Sequence, residues 1–120
     1  MNKDQILIAD DSMFMRRNIK RALNKAGITD ILEASNGVEA VELFKVNEPA
    51  MCMLDITMPE MSGIDALKEM KKINPDVTVI MCSAIGQEST VMQALSAGAA
   101  EFVVKPFKDE KLVEIIENYR

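Results

Sequence analysis

Residues 5–17, QILIADDSMFMRR, run from an apolar stretch through two adjacent aspartates and a serine into a segment with helical spacing. An apolar strand followed by a helix is the unit from which parallel sheets are built. Asp10, Asp11 and Ser12 all suit a helix start, since their side chains accept hydrogen bonds from free backbone N–H groups. One such residue would be enough for a cap, and two neighbouring carboxylates repel each other. The second carboxylate therefore indicates a bound cation.

The same unit recurs along the chain. Further apolar runs lie at residues 30–34, 50–55, 77–83 and 101–105, and each is followed by a segment with helical spacing. The runs at 50–55 and 77–83 are nearly continuous in hydrophobicity, which is typical of strands covered on both faces. The alternation predicts an α/β fold with one five-stranded parallel sheet and helices on both of its faces.

Capping residues mark the ends of several helices. Gly27 follows the first apolar stripe and is expected to end that helix. Asn36 and Glu39 have the spacing of a capping box at the start of the second helix. Pro75 cannot continue the third helix, because proline lacks a backbone N–H.

Composition limits the classes of function. The chain has 120 residues, is 48% hydrophobic and carries a net charge of −5, which favours one globular domain over residues 1–120 and disfavours nucleic acid or an anionic membrane as partner. It shows neither a signal-peptide pattern nor a membrane-spanning run, so a cytoplasmic protein is predicted. Cys52 and Cys82 lie in apolar segments and are interpreted as reduced core residues.

The sequence contains no histidine, which excludes histidine-based general bases, metal sites and nucleophilic triads. Chemistry must therefore depend on carboxylates, lysines and hydroxyls. Such groups follow four of the apolar runs: Asp10 and Asp11, then Asp55, then Ser83, then Lys105. Ligands of open α/β sheets bind beyond the carboxyl ends of the strands, so we expect these side chains to meet at one rim.

Four stretches carry a family resemblance: ILIADDSMFMRR, MLDITMPEMSGIDALKEMK, MCSAIGQ and GAAEFVVKPF. Through them the whole chain resembles the receiver domains of bacterial two-component response regulators, and in particular the single-domain members that act in chemotaxis. The resemblance implies a flavodoxin-like sheet with strand order 2-1-3-4-5. It also implies a domain that fills residues 1–120 with no output domain.

The resemblance implies a role for each residue at the rim. Asp55 corresponds to the phosphorylated aspartate, and Lys105 to the active-site lysine. Asp10 and Asp11 correspond to the acidic pair that binds Mg²⁺, for which Mn²⁺ can substitute. Thr57 corresponds to the residue that offers its backbone carbonyl to the metal.

The chemistry of these residue types agrees with such roles. A carboxylate can attack phosphorus, but the phosphodonor is also anionic, so transfer depends on positioning and neutralisation of charge. Mg²⁺ prefers oxygen ligands, so Asp11 and Asp55 are expected to bind it directly while Asp10 orients a metal-bound water. Lys105 supplies a compact cation for a phosphoryl oxygen.

The resemblance also implies a switch. Ser83 corresponds to the switch hydroxyl, which is expected to contact the phosphoryl group beside Lys105, and Phe102 to the switch aromatic. The bond between Lys105 and Pro106 is expected to be cis.

The surface that signals is expected to comprise the fourth helix, the fifth strand and the fifth helix. On the fourth helix, helical spacing is interpreted as placing Met92 and Leu95 toward the core, with Val91 at the edge. Val91, Phe102 and Lys108 would then form a patch for docking a partner.

The expected partners are proteins. A CheA-like histidine kinase is predicted to donate the phosphoryl group, and an effector such as a flagellar motor switch protein to receive the signal from a monomer. The protein is not expected to be an enzyme apart from its own phosphorylation and dephosphorylation. A basic face on the first helix is interpreted as solvated, with docking to an acidic kinase surface as the alternative. Its residues are Arg16, Arg17, Lys20, Arg21 and Lys25.

Three other functions are alternatives for a chain with this fold. A phosphorelay intermediate would pass phosphate to a histidine phosphotransfer protein. A flavodoxin-like cofactor binder would need small residues and hydroxyls after the first strand, where this chain has the acidic and bulky DDSMF. A phosphatase of the haloacid dehalogenase kind would need an aspartate two residues after Asp55, where Thr57 stands.

Overall fold

The computed structural model describes residues 2–84 and 86–120 of the chain, in which strands and helices alternate. None of the helices in these two ranges combines the length and the hydrophobicity that crossing a membrane requires. The strands are β1 (Asn2–Ala9), β2 (Ile31–Ala34), β3 (Pro49–Asp55), β4 (Thr78–Ser83) and β5 (Glu101–Val104). The helices are α1 (Met13–Lys25), α2 (Gly37–Asn47), α3 (Gly63–Ile73), α4 (Glu88–Ser96) and α5 (Asp109–Tyr119).

The strands form one parallel sheet in the order β2-β1-β3-β4-β5, which confirms the predicted fold. The order reverses between β1 and β3, so these two neighbours define the switch point at which α/β sheets bind ligands. Ala9 pairs with Leu54 in the register of β1 and β3. Asp10 and Asp55 therefore follow at adjacent positions on the same rim.

Apolar side chains cover both faces of the sheet. Helices α2, α3 and α4 pack on one face, and α1 and α5 pack on the other. Cys52 belongs to the first of these cores and Cys82 to the second, so the sheet separates the two thiols. Both are free and buried, and burial raises the pKa of each thiol. The structure thus confirms them as reduced core residues.

The helix ends follow the capping residues of the sequence. Ser12 Oγ accepts a hydrogen bond from the Met15 N–H at 3.1 Å and begins α1. Asn36 Oδ1 accepts one from the Glu39 N–H at 2.8 Å and begins α2. Gly27 has a φ of +87°, a left-handed conformation that glycine adopts at low cost, and it follows the last turn of α1.

The predicted orientation of α4 is wrong. Val91 is buried, with 7% of its surface exposed, whereas Met92 is 63% exposed. Val91 and Ala94 are three residues apart and face the core together, and Leu95 is half-buried beside them. Met92 and Leu95 also have a three-residue spacing, so the sequence pattern allowed either face to point inward. Val91 therefore belongs to the core, and Met92 takes its place on the surface.

Candidate functional site

Three carboxylates meet at the carboxyl ends of β1 and β3. One oxygen from each of Asp10, Asp11 and Asp55 lies within 4.8 Å of the other two. Asp10 is buried, Asp55 is half-buried and Asp11 is exposed, so the cluster opens to solvent on the Asp11 side. Oxygen donors at this spacing match the ligands that Mg²⁺ prefers. The three residues thus fit the predicted metal site.

A lysine from the far edge of the sheet enters the same cluster. Lys105 follows β5, and its Nζ lies 2.7 Å from Asp10 Oδ2 and 3.2 Å from Asp55 Oδ2. The Lys105 backbone N–H donates to the Ser83 carbonyl at 2.7 Å, which ties the ends of β5 and β4 together. The peptide bond from Lys105 to Pro106, expected to be cis, has the cis form.

Burial and neighbouring charges shift the pKa values of two groups in the cluster. Burial raises the pKa of Asp55 and outweighs the attraction of Lys105, while the charge of Asp10 raises it further. Burial alone would lower the pKa of Lys105, but its hydrogen bond to Asp10 and the charges of Asp55 and Asp10 give a net rise. Lys105 therefore stays charged at neutral pH. When all four groups are ionised, three negative charges less one positive charge leave two negative charges, which one divalent cation balances.

Asp10 is fixed through both its backbone and its side chain. Its N–H donates to the Ala34 carbonyl at 3.1 Å, and its Oδ1 accepts from the Ser12 N–H at 2.9 Å. The Arg16 guanidinium donates to its carbonyl oxygen, and Lys105 holds its Oδ2. Asp10, which follows β1, is therefore held in position by contacts from β2, α1 and the end of β5.

The two expected switch residues lie on adjacent strands. Ser83 ends β4 and is buried, while Phe102 on β5 pairs with Met81 and is 37% exposed. An open apolar groove of about 290 Å³ extends from Ser83 between α4 and β5, and Phe102, Met92 and Val91 line it. The groove thus connects the rim of the site with the surface of α4 and β5.

Two features of the site were missed in the sequence analysis. Gln87 links two loops, because its Nε2 donates to Thr57 Oγ1 at 3.0 Å and its Oε1 accepts from the Ala84 N–H. At Gly63 a Cβ atom would lie 2.0 Å from the backbone oxygen of Asp55, so only glycine lets α3 start there. The glycine at the start of α3 was a usable signal, whereas nothing in the sequence distinguished Gln87.

The basic face of α1 is only partly solvated, which corrects the sequence-based interpretation. The Arg16 side chain is 13% exposed, and its Nε pairs with Glu33 Oε1 at 3.2 Å. Lys20 pairs with Glu33 Oε2 at 3.4 Å. Arg17, Arg21 and Lys25 are exposed as expected. The reason is that Glu33, the residue before the last one of β2, pairs with two cations of α1.

The fold and the cluster of acids and lysine define a receiver domain, and the chain belongs to the response regulator receiver domain family, whose model matches residues 6–117. The chain is 49% identical to the chemotaxis protein CheY of Thermotoga maritima and 51% identical to that of Bacillus subtilis, in each case over 112 residues that make up 93% of both chains. These matches confirm the resemblance inferred from the sequence.

Solved structures of related proteins have the same fold. The receiver domain of NtrX from Brucella abortus superimposes with a TM-score of 0.90 at 29% identity, covering 95% of this chain and 96% of that chain. The CheX-CheY-BeF3-Mg complex from Borrelia burgdorferi superimposes with a TM-score of 0.90 at 34% identity, covering 95% of this chain and 87% of that chain.

Proposed function

We propose that this protein is a chemotaxis response regulator that accepts a phosphoryl group on Asp55 from a histidine kinase and signals by docking to another protein. The observation that carries the proposal is the position of Asp55, which shares a cluster with Asp10 and Asp11 and lies 3.2 Å from Lys105 Nζ. A carboxylate in this setting can act as a nucleophile, and the lysine beside it can neutralise a phosphoryl oxygen.

The transfer step uses the chain's own residues as follows. A carboxylate oxygen of Asp55 attacks the phosphorus of a phosphohistidine on the kinase. The new O–P bond forms as the P–N bond breaks. The electron pair of the P–N bond stays on the imidazole nitrogen. Lys105 is already charged and in place, so no rearrangement is needed to bring a cation to the phosphoryl group.

The metal would be held by Asp11, Asp55 and the backbone carbonyl of Thr57, with Asp10 orienting a metal-bound water. Bound Mg²⁺, or Mn²⁺ in its place, supplies positive charge that offsets the repulsion between the carboxylates and the incoming phosphate. The hydrogen bonds that Asp10 accepts from Ser12 and Lys105 support this arrangement. Such bonds orient the groups around a metal before the metal binds.

The signal would pass from Ser83 to the surface. A phosphoryl group on Asp55 offers acceptor oxygens to the Ser83 hydroxyl, and inward movement of Ser83 frees space that Phe102 can enter. The groove between α4 and β5 supports this route, because it already extends from Ser83 to Phe102. The docking patch would then comprise Met92, Phe102 and Lys108, all of which are exposed.

The relatives support the assignment to chemotaxis. Two relatives named chemotaxis protein CheY match over 93% of their own length, which supports a role like theirs for this receiver domain. The Borrelia burgdorferi relative was solved in complex with CheX, BeF3 and Mg. We therefore propose a CheA-like kinase as donor, a flagellar motor switch protein as effector, and a monomer as the signalling species.

An experiment with two candidate partners distinguishes this role from that of a phosphorelay intermediate. The phosphorylated protein would be mixed either with a flagellar motor switch protein or with a histidine phosphotransfer protein. We expect phosphorylation to raise affinity for the motor protein by at least about tenfold, which corresponds to roughly 1.4 kcal/mol. Rapid transfer of the phosphoryl group to histidine, with no gain in affinity for the motor protein, would favour the relay.

A further inference from the structure

Arg16 joins α1 to the ends of two strands. Its guanidinium donates to the backbone carbonyl of Asp10 at the end of β1, and its Nε lies 3.2 Å from Glu33 Oε1 near the end of β2. The side chain is 13% exposed, so the contact with Asp10 lies largely out of solvent. Lys20 holds the other oxygen of Glu33 at 3.4 Å and keeps that carboxylate in place.

The contact between Arg16 and the Asp10 carbonyl matters because the next residue, Asp11, belongs to the carboxylate cluster. Asp11 is exposed, and in the ranges 2–84 and 86–120 no side-chain hydrogen bond to its carboxylate is found. The backbone between Asp10 and Ser12 therefore sets the position of the Asp11 Cα and Cβ, from which the carboxylate reaches the cluster. Ser12 is fixed as the N-cap of α1, and Arg16 fixes the carbonyl that precedes Asp11.

We propose that Arg16 is a positioning residue for the metal site, which holds the Asp10 carbonyl so that Asp11 points into the carboxylate cluster. Glu33 is its anchor, because it orients the guanidinium and balances its charge beside a cation site. The inference rests on the proposed function in one respect, since it assumes that the cluster binds Mg²⁺. Residues that support metal ligands typically change affinity by 10–100-fold when replaced, and we expect the lower end, about tenfold.

Two substitutions separate positioning from simple charge. Arg16→Lys keeps the positive charge but loses the planar fork that reaches Glu33 and the Asp10 carbonyl at once. Arg16→Gln removes a positive charge near the cluster, so electrostatics alone would tighten Mg²⁺ binding, whereas loss of positioning would weaken it. The matched control is Arg17→Gln, which makes the same charge change at an exposed residue whose guanidinium donates to Met13 Sδ at 3.7 Å.

The readout is the Mg²⁺ dissociation constant, measured from backbone amide shifts in an NMR titration. The expected result is about tenfold weaker binding in both Arg16 variants and an unchanged or slightly tighter constant in Arg17→Gln. An Arg16→Lys or Arg16→Gln protein that binds Mg²⁺ as tightly as the parent overturns the inference. If one Arg16 variant does not fold, the other decides in the same way, and a spectrum recorded in EDTA identifies which are folded.

The same titration separates this inference from the proposed function. A parent protein that binds no Mg²⁺ overturns the proposed metal site and the role of Arg16 with it. A parent that binds Mg²⁺, together with Arg16 variants that bind it equally well, overturns only the role of Arg16. Neither outcome depends on phosphorylation of Asp55.

Discussion

Lys105 Nζ lies 2.7 Å from Asp10 Oδ2, although 95 residues separate the two in the chain. The same ammonium lies 3.2 Å from Asp55 Oδ2, so one cation joins acids from β1 and β3 to the end of β5. Two carboxylates that would repel each other are held together by this lysine. The arrangement keeps the nucleophile and a compensating charge in contact before any phosphodonor arrives.

Replacing Lys105 should destabilise the protein, because Asp10 and Asp55 would then repel each other without a cation between them. Lys105→Gln leaves Asp10 and Asp55 without their shared cation, and breaking a fully buried pair costs about 3–5 kcal/mol. Because the Lys105 side chain is 20% exposed, we expect a smaller loss, roughly 2 kcal/mol, in the free energy of unfolding measured with urea in EDTA. Labelling with acetyl phosphate should also slow. Lys108→Gln, at an exposed lysine, is the control, and equal stability of the two variants would refute this role for Lys105.

Asp55 should destabilise the metal-free protein at neutral pH. Burial raises its folded-state pKa, partly opposed by Lys105, so ionisation costs stability as the pH rises from the ordinary carboxyl value through the raised value. Asp55→Asn lacks this cost. In EDTA, its stability advantage over the parent should therefore grow with rising pH and stay constant above the raised pKa. Saturating Mg²⁺ should shrink or reverse the advantage, since the ion binds the folded parent.

Thermal unfolding over a pH series measures this difference. Asp76→Asn is the control, because it makes the same substitution at an exposed residue outside the carboxylate cluster. A parent that is more stable than Asp55→Asn at neutral pH in EDTA would contradict the burial argument.

The rim of the site could be predicted from the sequence for a physical reason. Parallel strands bring their carboxyl ends to one edge, so Asp10, Asp55 and Lys105 had to converge once the strands were recognised. The two contacts of Arg16 could not be predicted, because they depend on how α1 packs over β2. The orientation of α4 was also ambiguous, since Val91 and Met92 lie on adjacent stripes of equal spacing.

The corrected orientation of α4 predicts opposite outcomes for two neighbouring substitutions. Val91→Asp places a charge in the core and should cost about 3 kcal/mol or more of unfolding free energy. Met92→Asp changes an exposed side chain and should stay within about 0.5 kcal/mol of the parent. Urea unfolding of both proteins checks this. Similar stabilities for the two variants would show that Val91 is not a core residue.

Met92→Asp also tests the docking patch. It should accept a phosphoryl group as the parent does, yet bind the motor switch protein more weakly, because it places a charge in the apolar groove beside Phe102. Affinity is measured for both proteins in their beryllofluoride-activated forms. Unchanged affinity would exclude this part of α4 from the interface.

The switch makes a separate prediction for Ser83. Ser83→Ala removes the hydroxyl that would bond to the phosphoryl group, so phosphorylation should proceed while its coupling to Phe102 is largely lost. Ring signals of Phe102 in NMR spectra, recorded with and without beryllofluoride and Mg²⁺, report that coupling. We expect a clear shift in the parent and a much smaller one in Ser83→Ala. Shifts of equal size in both proteins would rule out this switch.

The central claim, that Asp55 is the phosphoacceptor, is tested most directly by intact-mass measurement after incubation with acetyl phosphate and Mg²⁺. The parent and Asp76→Asn should each gain one phosphoryl group, and EDTA should prevent the gain. Asp55→Asn keeps the size of the side chain but lacks the nucleophilic carboxylate, so it should gain none. Labelling of Asp55→Asn to the same extent as the parent would contradict the account.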